Sequence, residues 1–188
     1  VDDGPMLDRA VAQRAGVGWF GKNTNILTRT HGSWVFLGQV ITDLEIEPDK
    51  PLKKTCGSCV KCIEACPTGA IVAPYVIDNT RCISYLTIEN RGSIPIDLRP
   101  LMHDWVFGCD ICQEVCPHNQ PTVRTVRAAV EPTSGTHSGA LPLLEVLNWS
   151  ESDRIGAVAG TSATRAKLDM WRRNAAIALR NQTLNAAT

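Results

Sequence analysis

Eight cysteines occur at a spacing that suits redox metal chemistry. One run reads Cys-x2-Cys-x2-Cys-x3-Cys-Pro, from Cys56 to Pro67, and a second reads Cys-x2-Cys-x3-Cys-Pro, from Cys109 to Pro117. In the bacterial ferredoxin pattern, three closely spaced thiolates hold one [4Fe–4S] cluster, and the cysteine before the proline binds the other cluster. The spacing therefore predicts two [4Fe–4S] clusters, which transfer electrons one at a time.

The second run lacks the first cysteine of the pattern, because Val106 stands at that position. Cys82 is the one cysteine outside both runs, so we expect it to supply the missing thiolate. The predicted ligands of the first cluster are Cys56, Cys59, Cys62 and Cys116. The predicted ligands of the second cluster are Cys66, Cys82, Cys109 and Cys112.

Two other uses of cysteine fit the pattern less well. Structural zinc is held by pairs of Cys-x2-Cys, which leaves the third closely spaced cysteine and the repeated Cys-Pro unexplained. A disulfide framework suits a small secreted domain, whereas this chain has 188 residues and shows no secretory segment. Iron–sulfur chemistry is the preferred interpretation, and zinc and disulfides are its alternatives.

The composition is that of an ordinary soluble protein without a global charge. Lys plus Arg and Asp plus Glu both number 19, so any contact with nucleic acid must be local. The most apolar stretch, Trp34 to Ile41, is too short to span a membrane. Intact thiolates need a reducing compartment, so the cytoplasm is the expected location.

The segment before the cysteines is expected to form a helix and two strands. Pro5 to Ala15 predicts a helix that Gly16 terminates. Asn25 to Arg29 and Trp34 to Ile41 predict strands joined through Thr30 to Ser33. The second strand is apolar on both faces, so protein or a cofactor must cover each face, and the residues do not decide between the two.

The stretch from Gly16 to Gly21 spells Gly-x-Gly-x-x-Gly, which is also found in dinucleotide sites. That fingerprint requires a strand before it and a helix after it. Here a helix precedes and a β-rich stretch follows, so we predict a glycine-rich turn and no dinucleotide site.

Short helical turns are predicted within the cysteine runs, at Val60 to Cys66 and Asp110 to Cys116, because each proline ends a turn. Between them, Ile83 to Glu89 is compatible with a strand or a helix. Gln120 to Gly139 is rich in Thr, Ser, Pro and Gly, which indicates a mobile connection.

The tail is predicted to be helical. Leu141 to Leu147 indicates a short helix, and Thr161 or Ser162 can cap a longer one that ends near Gln182. Its predicted core stripe is Leu168, Trp171, Ala175 and Ala178 or Leu179. From Gly160 onward the chain carries one acid, Asp169, and five bases that could form a tRNA-facing patch or a solvated helix face: Arg165, Lys167, Arg172, Arg173 and Arg180.

Most of the chain lies outside the cysteine runs, and this material resembles the epoxyqueuosine reductase family. The resemblance rests on a series of motifs in order: Val1–Pro5, Arg14–Asn23, Gly32–Gly38, Cys82–Glu89, Gly108–Gln113, Gly160–Thr161, Trp171–Asn174 and Ala178–Asn181. It covers nearly the whole chain except the connection.

The resemblance implies a cobalamin-dependent oxidoreductase that converts epoxyqueuosine to queuosine in the wobble position of tRNA. The implied partners are that tRNA and a low-potential electron donor such as a flavodoxin or ferredoxin. The expected fold is α+β, with a small β-containing cobalamin-binding part at 1–50, a ferredoxin-like double-cluster domain at 51–120, a linker at 121–140 and a helical region at 141–188. The family also has an N-terminal domain that is expected to precede Val1.

The resemblance implies further site residues. Asp2 is expected to be the proton donor and a cobalamin contact, although from local sequence alone it equally suits a cap for the first helix. The other expected corrin contacts are Ile26, Leu37, Ser84 and Asp110.

Two other functions stay open at this point. A reductive dehalogenase-like enzyme would share cobalamin and paired clusters but act on organohalides. A ferredoxin-type electron-transfer module would hold the clusters without catalysing a reaction.

Overall fold

The computed structural model describes residues 6–120 and 142–185, which divide between two compact units. Within these residues, the first unit takes 6–65, 71–77 and 111–120, and the second takes 66–70, 78–110 and 142–185. The boundaries of these units differ from those of the domains expected at 1–50, 51–120 and 141–188. The expected division into domains stays a prediction. The expected linker lies outside the described residues.

The first unit begins with helix α1, Asp8–Arg14, and an antiparallel pair of strands, β1 (Gly18–Phe20) and β2 (Ile26–Thr28). The predicted first helix is confirmed over Asp8–Arg14, and Gly16 follows it with φ of +68°. The helix begins later than predicted, with Leu7 at its N-cap position, so the structure does not support the capping role offered for Asp2. The predicted strand at Asn25 to Arg29 is confirmed as β2.

Two predictions for this segment are wrong. The glycine-rich stretch was predicted to be a turn, but its residues Gly18–Phe20 form strand β1, in which Trp19 pairs with Leu27 of β2. Trp34 to Ile41 forms no strand: Gly32 bridges back to Thr28, and the chain then leaves the sheet without regular structure. A strand needs a neighbour for its backbone hydrogen bonds, and among the described residues this stretch has none. The Phe36 side chain is fully exposed there.

The first unit also contains helix α2 (Lys61–Glu64), strands β3 (Ile71–Ala73) and β4 (Val76–Ile77), and the later helix α4 (Ile111–Glu114). The strands β3 and β4 form a second antiparallel pair. Helices α2 and α4 confirm the predicted helical turns within the two cysteine runs.

The second unit contains helix α3 (Ile83–Ile88) and the C-terminal helices α5 (Leu143–Asn148), α6 (Glu151–Val158) and α7 (Leu168–Asn185). Helix α3 settles the ambiguity of that stretch, and α5 confirms the predicted short helix.

Helix α6 was not predicted from the sequence, although Ser150 and Asp153 form a reciprocal capping box at its start. The long helix begins later than predicted, because Thr161 caps a short 3₁₀ turn at Ser162–Arg165 instead.

The core of the second unit lies around α7. The predicted stripe is confirmed for Trp171, Ala175 and Ala178, which are 3% exposed or less. Leu168 and Leu179 are only partly buried. The stripe packs against α5 and α6, and the buried members of this core are Val106, Val146, Val158, Ala166, Met170, Trp171, Ala175 and Ala178.

No helix in the described part of the chain combines the length and apolar character that crossing a membrane requires.

Candidate metal centre

Four thiols from both cysteine runs line one cavity of the first unit. This cavity has a volume of about 180 Å³, and its cysteines are Cys56, Cys59, Cys62 and Cys116. None of these four described thiols forms a disulfide. They are the four residues predicted to hold the first cluster, and the fold brings Cys116 to the other three across more than fifty positions of sequence.

The thiols repel one another when they ionise. Burial raises the pKa of Cys62, and the neighbouring Cys56, Cys116 and Cys59 raise it further. Burial likewise raises the pKa of Cys116, with Cys56 and Cys59 adding to the effect. Four thiolates crowded together would require positive charge between them, which is the charge that a metal centre carries.

The cavity that the four cysteines line is larger than a single ion requires, at about 180 Å³. Among the described residues, no set of three or more Cys, His, Asp or Glu side chains is arranged to hold a single metal ion.

Trp19 adds an unpaired donor beside these sulfurs. It is 3% exposed and packs with Cys56 and Cys116. Its indole N–H is buried and has no acceptor among the described residues. Hydrogen bonds to cluster sulfurs are a normal part of iron–sulfur sites, so a buried N–H at this position suits a cluster.

The turn between β1 and β2 holds both cysteine runs in place. The Lys22 ammonium donates a hydrogen bond to the carbonyl of Gly57, inside the first run, at 2.7 Å. The Asn23 side-chain amide donates to the carbonyl of Cys112, inside the second run, at 3.2 Å. The sequence analysis predicted neither positioning role, because the partners of Lys22 and Asn23 lie 35 and 89 positions away.

A second set of contacts fastens the loop after β2 to the residues that follow Cys116. The Ser33 backbone N–H donates to Asn119 Oδ1 at 2.7 Å, and Asn119 Nδ2 donates to Ser33 Oγ at 2.8 Å. Asn119 is fully buried and also donates to the carbonyl of Gln113 at 2.8 Å. These bonds fix the backbone on either side of Cys116.

Comparison with known proteins finds a match for the cluster region and a set of relatives for almost the whole chain. Residues 55–119 match the model of a 4Fe-4S double cluster binding domain. Epoxyqueuosine reductase from Escherichia coli (strain K12) is 45% identical over 181 residues, which are 96% of this chain and 47% of that protein. The chain is homologous to the epoxyqueuosine reductases.

Solved structures agree with this relationship. Epoxyqueuosine reductase from Bacillus subtilis, with its catalytic aspartate loop swung out of the active site, matches with a TM-score of 0.81 and 36% identity, over 98% of this chain and 49% of that chain. An epoxyqueuosine reductase with an epoxyqueuosine-modified tRNA stem loop matches with a TM-score of 0.77 and 36% identity, over 96% of this chain and 48% of that chain. The chain spans about half the length of the epoxyqueuosine reductases it matches.

The remaining cysteines are the predicted ligands of the second cluster. Cys66 Sγ accepts a hydrogen bond from the Ala70 N–H at 3.3 Å. Cys82 directly precedes α3, and Cys109 packs against the apolar core around that helix. These three belong to the second unit and Cys112 to the first, so this ligand set stays a prediction.

The residues that the epoxyqueuosine reductase resemblance offers as cobalamin contacts differ in how exposed they are, and their contact role stays a prediction. Ile26 lies in β2 and is 3% exposed. Leu37, Ser84 and Asp110 are each half-buried. Asp2, the expected proton donor, lies outside the described residues.

The basic residues of the tail are largely engaged with the protein itself. Arg165 pairs with Glu89, and Arg172 donates to the carbonyl of Trp149. Arg173 donates to the carbonyls of Asn90, Gly92 and Leu86, and burial lowers the pKa of its guanidinium. The tRNA-facing role of these residues stays a prediction, while Arg173 has a clear structural role.

Proposed function

We propose that this chain takes part in the reduction of epoxyqueuosine to queuosine in the wobble position of tRNA. The observation that carries the proposal is the 45% identity with an epoxyqueuosine reductase over 96% of the chain. The cavity lined by four thiols supports it, because the reaction needs electrons and the cluster domain can deliver them.

The proposed reaction consumes only electrons and protons besides its substrate. Epoxyqueuosine takes up two electrons and two protons, both carbon–oxygen bonds of the epoxide break, and queuosine and water are formed. Two [4Fe–4S] clusters would pass the electrons singly from a low-potential donor such as a flavodoxin or ferredoxin. The proposed ligand sets are those that the cysteine spacing predicts.

Cobalamin is the proposed second cofactor. When bound, it would supply a reduced cobalt that reacts at carbon, which is chemistry that amino-acid side chains lack. Leu37, Ser84 and Asp110 fit a contact role, because each keeps part of its surface exposed. Ile26 fits less well, since its side chain packs beside Gly18 and is 3% exposed.

Asp2 is the proposed proton donor. The Bacillus subtilis relative has a catalytic aspartate loop, which supports an aspartate in this role. A carboxyl group with an ordinary pKa is mostly ionised at neutral pH, so burial beside the substrate would have to raise its pKa for it to give up a proton.

The proposed nucleic-acid partner is tRNA that contains epoxyqueuosine, and the proposed location is the cytoplasm. A relative whose structure includes an epoxyqueuosine-modified tRNA stem loop supports this partner. With no net charge on the chain, binding would depend on a local basic surface.

The proposal is tested by assaying conversion of epoxyqueuosine-tRNA under anaerobic conditions. The chain, and the whole gene product where the gene encodes more, is reconstituted with iron, sulfide and cobalamin and reduced chemically. Nucleosides from digested tRNA are then measured by mass spectrometry, with unmodified tRNA as the control substrate. We expect queuosine to accumulate through several turnovers.

Other outcomes would contradict the proposal in distinguishable ways. Reduction of a haloalkene with no formation of queuosine would indicate a dehalogenase-like enzyme. Full cluster content with no cobalamin binding and no turnover would indicate an electron-transfer module.

A further inference from the structure

Lys22 is a buried cation at the wall of the thiol-lined cavity. Its side chain is 8% exposed and lines the cavity together with Cys56, Cys59, Cys62 and Cys116. One hydrogen bond, from Nζ to the carbonyl of Gly57 at 2.7 Å, holds the ammonium in place. No carboxylate of residues 6–120 or 142–185 pairs with it.

An ammonium in this position needs a source of negative charge. Moving a charged group out of water is unfavourable unless an opposite charge or several hydrogen bonds compensate for the lost solvation. Lys22 has three N–H donors, and the carbonyl of Gly57 accepts from one of them. A neutral carbonyl compensates for only part of the lost solvation.

The predicted first cluster would supply the missing charge. Four thiolates outweigh the positive charge of a [4Fe–4S] core, so the loaded site is anionic. One-electron reduction of the core adds another negative charge without breaking a bond or moving a proton. A cation fixed beside the site in a poorly solvated place therefore stabilises the reduced form more than the oxidised form.

We propose that Lys22 is the counter-ion of the first cluster and raises its reduction potential. This inference rests on the proposed cluster but not on turnover of epoxyqueuosine. Through its bond to Gly57, Lys22 is anchored to the loop between Cys56 and Cys59, so its charge keeps a constant distance from the iron ligands. Lys22 thus tunes the electron relay without touching the substrate.

The chain contains a matched control for this charge. Lys61 lines the same cavity, but its side chain is exposed to solvent. Water screens an exposed charge much more strongly than a buried one. Removal of either lysine changes the net charge equally, so a difference between the two variants reports the effect of burial.

The experiment compares Lys22→Met, Lys22→Arg and Lys61→Met with the wild type, after anaerobic reconstitution and iron analysis. Each protein is titrated with dithionite and followed by electron paramagnetic resonance. In Lys22→Met, we expect the ratio of reduced to oxidised form of one cluster, at a fixed potential, to fall at least tenfold, a shift of about 59 mV. Lys22→Arg should shift this ratio less than Lys22→Met does, and Lys61→Met should change it less than threefold.

The possible outcomes separate this inference from the proposed function. Full iron content in Lys22→Met with the wild-type potential, or an equal shift in Lys61→Met, would overturn the counter-ion role alone. Loss of one cluster in Lys22→Met but not in Lys22→Arg would support it, whereas loss in both would show that Lys22 acts through packing. Zinc instead of iron in the wild-type protein would overturn both proposals.

Discussion

At the scale of single residues, Cys82 is the most informative position. It stands apart from both cysteine runs, and the spacing requires one thiolate from elsewhere to complete the second cluster. In the fold it directly precedes α3, whose Ile83 and Leu86 are buried in the core. A ligand attached to a buried helix is held at a defined place.

The Cys82→Ala variant should lose the second cluster and keep the first. We expect iron in anaerobically purified protein to fall from about eight to about four atoms per chain. Metal analysis and electron paramagnetic resonance measure this loss, and Cys56→Ala, which should remove the other signal, is the matched comparison. Eight irons in Cys82→Ala would show that Cys82 is not a ligand.

Asp2 is the residue whose proposed role is tested by one conservative substitution. Helix α1 begins at Asp8 with Leu7 before it, so the structure does not support a capping role for Asp2. Asparagine is close to aspartate in size and polarity but has no proton to donate, so Asp2→Asn removes the proposed acid with little other change. As a general acid, Asp2 should contribute on the order of 10²- to 10⁴-fold in rate. We expect Asp2→Asn to lose turnover on that scale while it keeps its clusters, cobalamin and thermal stability.

The neighbouring Asp3 supplies the control for this prediction. Asp3→Asn makes the same chemical change one position away, and we expect it to keep nearly full turnover. Wild-type turnover in Asp2→Asn, or an equal loss in both variants, would leave the proton to water or to another residue.

At the scale of elements, the turn after β2 shows how a loop is fastened to the metal site. Gly32 has φ of +55°, a conformation that residues with a Cβ avoid. A Cβ there would also overlap Asn119 Oδ1, the acceptor of the Ser33 N–H. The turn can therefore dock beside the second cysteine run only with glycine at this position.

The Gly32→Ala variant should be destabilised by at least about 1 kcal/mol through its backbone conformation alone. In a protein of this size, that corresponds to a loss of roughly 2 °C or more in Tm, which calorimetry of the loaded protein can measure. Gly38→Ala is the control, because a Cβ there meets no atom within 4 Å and its φ is not positive. Equal Tm values for the two variants would contradict this account.

Helix α7 is joined to the rest of the second unit by asparagines on its buried side. Asn174 is fully buried, and its amide donates to the carbonyls of Thr87 at 3.0 Å and Val106 at 2.8 Å. Asn181 makes a similar pair of bonds to the carbonyls of Arg99 and His103, both at 2.8 Å. These bonds hold the helix against the segment that leads to Cys109.

The Asn174→Ala variant leaves two buried carbonyls without this donor. We expect the free energy of unfolding to fall by about 2–4 kcal/mol, since each unpaired buried group costs about 1–3 kcal/mol. Chemical denaturation measures the change. Gln182→Ala, at an exposed position of the same helix, should stay within about 0.5 kcal/mol of the wild type, and a similar value for Asn174→Ala would be evidence against the structural role.

At the scale of the whole molecule, the chain combines a double-cluster domain with homology to a tRNA-modifying reductase family. The proposed reduction takes two electrons for each epoxide, while each cluster passes one electron at a time. The clusters should therefore be needed in every catalytic cycle but not for the binding of cobalamin.

Removal of iron should stop multiple turnover and leave cobalamin binding largely intact. We expect chelated protein to keep the absorbance of bound cobalamin after gel filtration and to lose formation of queuosine. Restoring iron and sulfide should restore turnover, which separates loss of the clusters from irreversible unfolding. Continued multiple turnover without iron would disprove the electron-relay role.

The sequence alone was sufficient for features that depend on short spacing. Cysteines two or three positions apart and a following proline are typical of iron–sulfur ligands, and this pattern can be recognised without knowledge of the fold. The first helix, strand β2 and the two helical turns of the cysteine runs were predicted on the same basis, because neighbouring residues determine them. The stripe of Trp171, Ala175 and Ala178 followed from helical period.

Only the tertiary structure decided the features that depend on distant partners. Trp34 to Ile41 has strand-forming residues but no neighbouring strand among the described residues, whereas Ile83 to Ile88 is helical and buries Ile83 and Leu86. Lys22 reaches Gly57 across 35 positions, and Asn23 reaches Cys112 across 89. Burial and charge compensation depend on what the whole fold brings together, and local sequence holds no record of those neighbours.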